Sequence, residues 1–589
     1  MRDPAPPLSQ LESAGLIRLA SVAPEREYLF RHALVQDAAY ASLLRSDRKR
    51  LHRAAGEVLE QIYQGRQEEI AALLGQHFAQ AGEDGRALHY LTLAGDQAAD
   101  KYANAEAVAH YTAALARAGA ASGAALIHLY SRRGRALELA GRYAEALANY
   151  ESMAGHGQAH GDGALELAAL IARTTIYATA TSQTDPAQGQ VLAAQALTLA
   201  RQLGDRAGEA RIFWNLMLIH GMGGIGDPGA ALTYGEQSLA LARELALTEQ
   251  VAQTLNDLAY VYSGAGQPDR ARACLDEAGD LWRGLGNLPM LADNRINCAL
   301  SSYLAGAYAA ADTLAAEGYE LSRRIGNNWG QAFSSLTSAT ICLEIGDLDR
   351  ARAANDQAVR LGETAGFLTA LVFAPACQAV AYAQVGAIAR ARDLAEHALA
   401  TAEARIPRWR PLALAGLALV LVLGGDPPAA TRTLQECRQT DVTADILSQL
   451  LLLPAEGEVG LEGEDYVGVI QRMDAFCDLH VQHLRPQALY YQGRALLAQG
   501  HAAAADALWA QAQQEATAMG GRRALWPILA ARARLAAAQG RAAAAHQLHQ
   551  AARPLVAYIA DHAGAADVRA AFLGLPAVQA IQVAAEDPA

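Results

Sequence analysis

The chain is poor in lysine. Among 589 residues only Lys49 and Lys101 occur, preceded by Arg48 and Asp100. A phosphate-binding loop needs G-K-[ST], with its lysine on the phosphates, so no such loop is present. Aromatic residues make up 6% of the chain, too few for a thick core built on large rings. The six cysteines, Cys274, Cys298, Cys342, Cys377, Cys437 and Cys477, are far apart and form no C-x-x-C. They read as small buried apolar residues of a reduced, cytoplasmic protein. Long apolar runs are missing too. The longest, Leu412 to Leu423, is 12 residues, short of the ~20 that span a bilayer. Met1 is followed by Arg-Asp-Pro-Ala-Pro-Pro, without an apolar stretch of signal-peptide type. Positive charge is in deficit, with 48 Lys+Arg against 61 Asp+Glu and a net charge of −13. That balance does not suit wholesale wrapping by nucleic acid. No H-E-x-x-H, G-x-S-x-G or cyclase segment appears.

Alanine and a long repeat are what the chain does have. Hydrophobic residues are 52% of the total, much of that share alanine, the best helix former and a filler of close helix–helix contacts. Gly226, Gly266, Gly306, Gly346 and Gly386 stand 40 residues apart. Gly286, Gly326 and Gly366 form a second series with the same step. Two phase-locked series imply two turns, and so two helices, per unit, glycine being the cheap left-handed stop for both. Small residues sit at fixed offsets: Ala259 and Ala271 around Gly266, Ala299 and Ala311 around Gly306, Ala339 and Ala351 around Gly346, Ala379 and Ala391 around Gly386. A further small residue follows at Ala278, Gly318, Ala358 and Ala398. The register extends through turns near 102, 141, 184, 226, 266, 306, 346, 386, 425, 463, 500 and 540, giving twelve units. The Gly/His-rich GHGQAHGDG at 155–163 reads as a longer loop.

This pattern of small residues between antiparallel helices resembles the tetratricopeptide repeat. The usual unit is ~34 residues, and the extra six are expected as added turns on the second helix. The resemblance implies an all-α, right-handed α-solenoid of about twelve ~40-residue hairpins. Its units cannot bury their apolar faces alone and must stack.

Residues 8–60 do not follow the repeat. They read as a short helix, a turn at Gly15, strand-like IRLAS, a polar turn at Pro24 to Glu27, strand-like EYLFRH and then a long helix, a winged-helix outline. LESAGLI, YLFRHALVQDAAYASLL and RKRLHRAAGEVLE resemble the segment that follows the ATPase core in bacterial regulators of the signal-transduction ATPase type. Such regulators are often fused to class III adenylate/guanylate cyclase or kinase domains, with tetratricopeptide units after the ATPase. DVRAAFLGLPAVQAI resembles their closing helix. The resemblance implies three segments. Residues 1–60 are a winged-helix remnant following an ATPase core that the chain does not contain. Residues 61–560 are the solenoid, and residues 561–589 are a capping helix and tail.

Candidate chemistry is sparse. Cys477, His480 and His483, spaced by three, fall on roughly one helix face, with no fourth ligand evident; no metal and no cofactor is assigned. His156 and His160, and His546 and His549, read as solvated. Arg45, Arg48, Lys49, Arg50 and Arg53 read as a solvated basic face, with phosphate contact as the alternative. In tetratricopeptide proteins the first helix of each unit lines the concave wall. Carried onto this chain, that places Phe213, Leu216, His220, Asn256, Tyr260, Tyr303, Phe333 and Phe373 inward. With no lysines in the middle units, this wall cannot clamp a terminal carboxylate, so an apolar peptide or protein segment is expected there. The resulting expectation is a non-enzymatic, cytoplasmic interaction and sensor scaffold, with a small-molecule inducer as a further ligand. The alternative is a nucleic-acid-binding regulator acting through the N-terminal segment.

Overall fold

A computed structural model describes residues 5–22, 26–119, 121–179, 181–221, 227–439, 446–479 and 481–583. The chain divides into two compact units, Met1–Ala136 and Leu137–Ala589.

In the first unit, α1 (Ala5–Ser13) leads through Gly15, at φ +71°, into an antiparallel hairpin of β1 (Ile17–Ser21) and β2 (Glu27–Phe30). Two helices follow where one long helix was expected: α2 (Ala33–Ser42) and α3 (Arg45–Ile62). Leu43 and Leu44 separate them in extended backbone, with ψ of 140° and 151°. Next come α4 (Ala71–Ala81), α5 (Asp84–Asp100) and α6 (Asn104–Leu115). α7 (Gly123–Leu139) crosses the division.

The second unit is helical throughout its described residues. α8 (Tyr143–His160) is followed by α9 (Gly163–Ala178), α10 (Pro186–Leu203), α11 (Arg206–Gly221), α12 (Pro228–Glu244), α13 (Thr248–Gly264) and α14 (Pro268–Leu285). The series continues with α15 (Leu288–Leu304), α16 (Tyr308–Arg324), α17 (Asn328–Ile345), α18 (Leu348–Ala365), α19 (Thr369–Gln384) and α20 (Ile388–Arg405). Then come α21 (Arg410–Leu423), α22 (Pro427–Arg438), α23 (Ile446–Glu462), α24 (Tyr466–Asp478), α25 (Arg485–Ala498) and α26 (Ala502–Met519). It closes with α27 (Arg522–Ala538), α28 (Ala542–Asp561), α29 (Ala566–Leu573) and α30 (Pro576–Val583).

Consecutive helices pair as hairpins, so the chain is an all-α solenoid. Gly141, Gly266, Gly306, Gly346, Gly386, Gly425, Gly500 and Gly540 end first helices in the left-handed region. Gly286, Gly326 and Gly366 do the same for second helices. Gly226 lies outside the described residues. Near 463 the left-handed residue is Glu464 rather than Gly463, and near 102 it is Tyr102. Aspartates just after the first turn cap second helices: the carboxylates of Asp185, Asp227, Asp347, Asp426 and Asp465 accept a first-turn N–H. The fixed small residues are buried, Ala271, Ala299, Ala311, Ala351, Ala379 and Ala391 to 0% exposure. They set the helix spacing, while Leu255, Leu258, Tyr262 and Leu275 fill it.

Two sequence expectations are corrected. GHGQAH at 155–160 is the end of α8 and not a loop. A Cβ at Gly157 would stand 2.8 Å from the backbone nitrogen of Glu166, so glycine there permits close approach of α9. The longer repeat is also not lodged in the second helix alone, since α13 to α18 are all 17 or 18 residues.

Successive first helices from α9 to α27 pack on one another, while the second helices between them do not pack extensively. The first-helix layer is therefore the inner, short-radius wall of this unit. Among the described residues, no helix is long and apolar enough to cross a membrane.

Candidate functional site

The inner wall has a polar stretch on α11, α13 and α15. It is built by residues of neighbouring repeats, 43 and 37 positions apart in the chain. The Trp214 indole N–H donates to Asp257 Oδ2 at 2.8 Å. Asn256 Nδ2 donates to Asp293 Oδ2 at 2.7 Å, and Asn297 Nδ2 to the same oxygen at 3.1 Å. Behind them, Asn294 Nδ2 bridges Asn256 Oδ1 at 3.1 Å and the Leu275 carbonyl at 3.0 Å. One repeat earlier, the Thr175 hydroxyl donates to Asn215 Oδ1 at 3.0 Å. Asn215, Asn256 and Asn294 are buried; Asn256 holds the Asp293 carboxylate directly, and Asn294 fixes the Asn256 amide from behind.

Burial, and then the charge of Asp293, push the Asp257 carboxyl up to about 7. The hydrogen bonds from Trp214 and Asn256 oppose that rise. This wall offers acceptors, two close carboxylates and aromatic edges.

The eight residues placed inward from sequence do not form one open surface. Leu216, Asn256, Tyr303 and Phe373 are buried, Tyr303 and Phe373 to 2% exposure. Leu216, Tyr303 and Phe373 belong to the packed interior, because a neighbouring repeat or a later turn of the solenoid covers them. Phe213, His220, Tyr260 and Phe333 are half-buried. Phe213 stacks on Tyr234 with centroids 6.2 Å apart, and His220 lies 5.6 Å from the same ring. Phe333 packs between Trp329 and Phe367. Trp214, Asp257, Asp293 and Asn297 were not singled out from sequence. Their signal is weak, because the pairing joins residues 37 and 43 positions apart, off the exact 40-residue step.

Tyr303 is covered from within the same unit. Its hydroxyl lies 3.0 Å from His483 Nε2, and that of Tyr308 lies 2.7 Å from His483 Nδ1. Arg523 donates to Glu344 Oε1 at 2.5 Å and to Gln384 at 2.8 Å. Burial lowers His483 to about 4, with Arg523 adding to the fall and Glu344 opposing it, so the imidazole is neutral near pH 7. Both its ring nitrogens are engaged. His480 lies outside the described residues, and among those described no group of three metal-ligating side chains is found. Burial also raises the thiols of Cys274, Cys298, Cys342 and Cys437 to about 11, far from the reactive range.

The basic run lies on α3. Arg50 pairs with Asp47 at 3.3 Å and Arg53 with Glu83 at 2.5 Å. The Arg48 guanidinium lies over Tyr40, 5.2 Å from its centroid.

No protein-family description matches the chain, and no curated protein matches it. Similar solved structures are found. A Rap protein complexed with competence and sporulation factor is 12% identical, with a TM-score of 0.41 over 61% of this chain and 99% of that one. Aspartyl phosphate phosphatase F from Bacillus subtilis is 12% identical, with a TM-score of 0.40 over 60% of this chain and 94% of that one. A signal transduction ATPase with numerous domains from Pyrococcus horikoshii, carrying a tetratricopeptide repeat sensor, is 14% identical. Its TM-score is 0.37 over 76% of this chain and 61% of that one. At such identities the likeness concerns the fold alone.

Proposed function

We propose that this chain is a non-enzymatic recognition scaffold whose inner wall on α11, α13 and α15 receives a segment of another protein. The observation that carries the reading is the Trp214–Asp257–Asn256–Asp293–Asn297 network. Five polar side chains from three repeats are held on the first-helix layer with a carboxylate raised to about 7. Carboxylate oxygens grouped on one wall favour a ligand rich in hydrogen-bond donors. The half-buried Phe213, His220, Tyr260 and Phe333 supply apolar contact beside it. The ligand is therefore a segment combining hydrogen-bond donors with apolar side chains.

The finer setting is also proposed. The resemblance of residues 1–60 and 561–589 to bacterial signal-transduction ATPases supports a cytoplasmic sensor role. The solenoid would then report on a partner to an ATPase, cyclase or kinase module, with residues 61–560 as the sensing array.

Selection from a displayed random-peptide library, with the full chain as bait, tests the reading. Enriched peptides carrying Lys or Arg beside an apolar residue are expected. Asn256→Ala and Asp293→Ala should each weaken their binding at least tenfold, and Glu277→Gln on α14 should not. Binding indifferent to Asn256 and Asp293 would overturn it.

A further inference from the structure

Helix α3 is the least covered long helix of the first unit. Of its 18 residues only Gly56 is buried, against the Phe78 ring of α4. A second side is taken by α2, through Tyr40 with His52 and Arg48. A third face carries Leu44 at its N-cap, Leu51, Val58 and Ile62, with 69%, 50%, 50% and 49% exposure. Their spacing of seven, seven and four keeps them on one side of the helix. The small Ala54 and Ala55 lie at the middle of that face, and Arg50 and Glu57 flank it. Among the described residues, 12 of the 18 exposed large apolar side chains fall between Leu11 and Ile62, four of them on this face, a density that marks a contact surface.

We propose that this face of α3 is a self-association seam, in which two copies of the chain pack α3 antiparallel against α3. The pattern is its own complement. Pairing about a midpoint near Ala54 sets Leu51 against the partner's Val58 and Leu44 against the partner's Ile62. The alanines at the crossing let the backbones approach. The same pairing brings Arg50 to the partner's Glu57 twice, once on each side of the two-fold axis. A parallel pair would instead set Arg50 and Glu57 beside the partner's Ala55 and Ile62, and form no such ion pair. The present partners of these charges are exposed and loose, Arg50 with Asp47 at 3.3 Å and Glu57 with Arg86 at 3.6 Å, so re-pairing costs little. One helix from each copy makes a small interface, and small interfaces are weak, so a reversible dimer results.

Sedimentation velocity on the full chain, from low micromolar to several hundred micromolar, tests the seam. A concentration-dependent monomer–dimer equilibrium is expected. Leu51→Glu should leave the chain monomeric with an unchanged melting curve. Arg50→Glu and Glu57→Arg should each weaken the dimer at least fivefold, and the double variant R50E/E57R should restore it. Three results would overturn the proposal. One is a chain monomeric at every concentration, which would assign the face to a different protein. The second is a dimer indifferent to Leu51→Glu. The third is a charge swap that fails to restore what the single variants lose.

Discussion

Asp257 is an acid whose folded environment favours the proton. Its pKa in the fold, about 7, lies above its ordinary 3.8, so between those values the folded chain binds more protons than the unfolded one. The contribution of this group is thus greatest below pH 3.8 and is lost as pH rises through 7. Asp257→Asn should flatten the fall in stability between those pH values and leave stability above pH 7 no lower than that of the parent chain. Urea titrations at a series of pH values check this, and an unchanged pH profile would count against the burial described. Single residues were unevenly legible in the sequence. The alanines at the helix contacts were readable because sterics repeats at each of them in every unit. Asp257, Asp293 and Trp214 were not, because their bonds join neighbouring helices at offsets the periodicity does not mark. Tyr303 reads as open wall because nothing local reveals that His483, 180 residues later, covers it.

Turns between helices carry the element-scale account. Gly346, at φ +82°, and Gly425, at φ +85°, both occupy the left-handed region. They differ in surroundings. A Cβ at Gly346 would stand 2.7 Å from Ile559, whereas one at Gly425 would meet nothing within 4 Å. Gly425→Ala is expected to cost roughly 1–2 kcal/mol, the backbone penalty alone. Gly346→Ala adds an overpacking cost of roughly 1–3 kcal/mol. Equal losses in the two melting curves would refute the close approach. The helix pairs and most of their turns were legible, since glycine stops are local signals. The end of α8 was misread because glycine and histidine suggest a loop, while contact with α9 rewards a helix with no side chain at Gly157. The break at Leu43 and Leu44 has no Gly or Pro to announce it.

At the scale of the Leu137–Ala589 unit, the solenoid returns to touch itself. First-turn glycines meet second-helix ends roughly five repeats later: a Cβ at Gly141 would lie 3.1 Å from the Ala365 Cα, and one at Gly306 2.7 Å from Met519. The Asp349 N–H donates to the His562 carbonyl at 3.0 Å, and Arg390 pairs with Asp567 at 2.6 Å. Arg523 and Glu344 make the buried ion pair of this seam, their side chains 18% and 6% exposed. Repeat arrays ordinarily couple only neighbours; this one also couples across its turns. Glu344→Gln leaves Arg523 buried without its counter-charge and is expected to cost roughly 3–5 kcal/mol. Amide exchange should then rise in α27 as well as in α17, and a rise confined to α17 and its sequence neighbours would contradict the coupling. Such contacts between residues about 180 to 220 apart leave no periodic trace, so the sequence announced the stack but not its closure. The measurement that bears most directly on recognition by the inner wall is amide exchange of the full chain with and without a library-selected peptide. Slowed exchange in α11, α13 and α15 is the predicted result. Protection confined to second helices or to the first unit, with those three unchanged, would contradict the account.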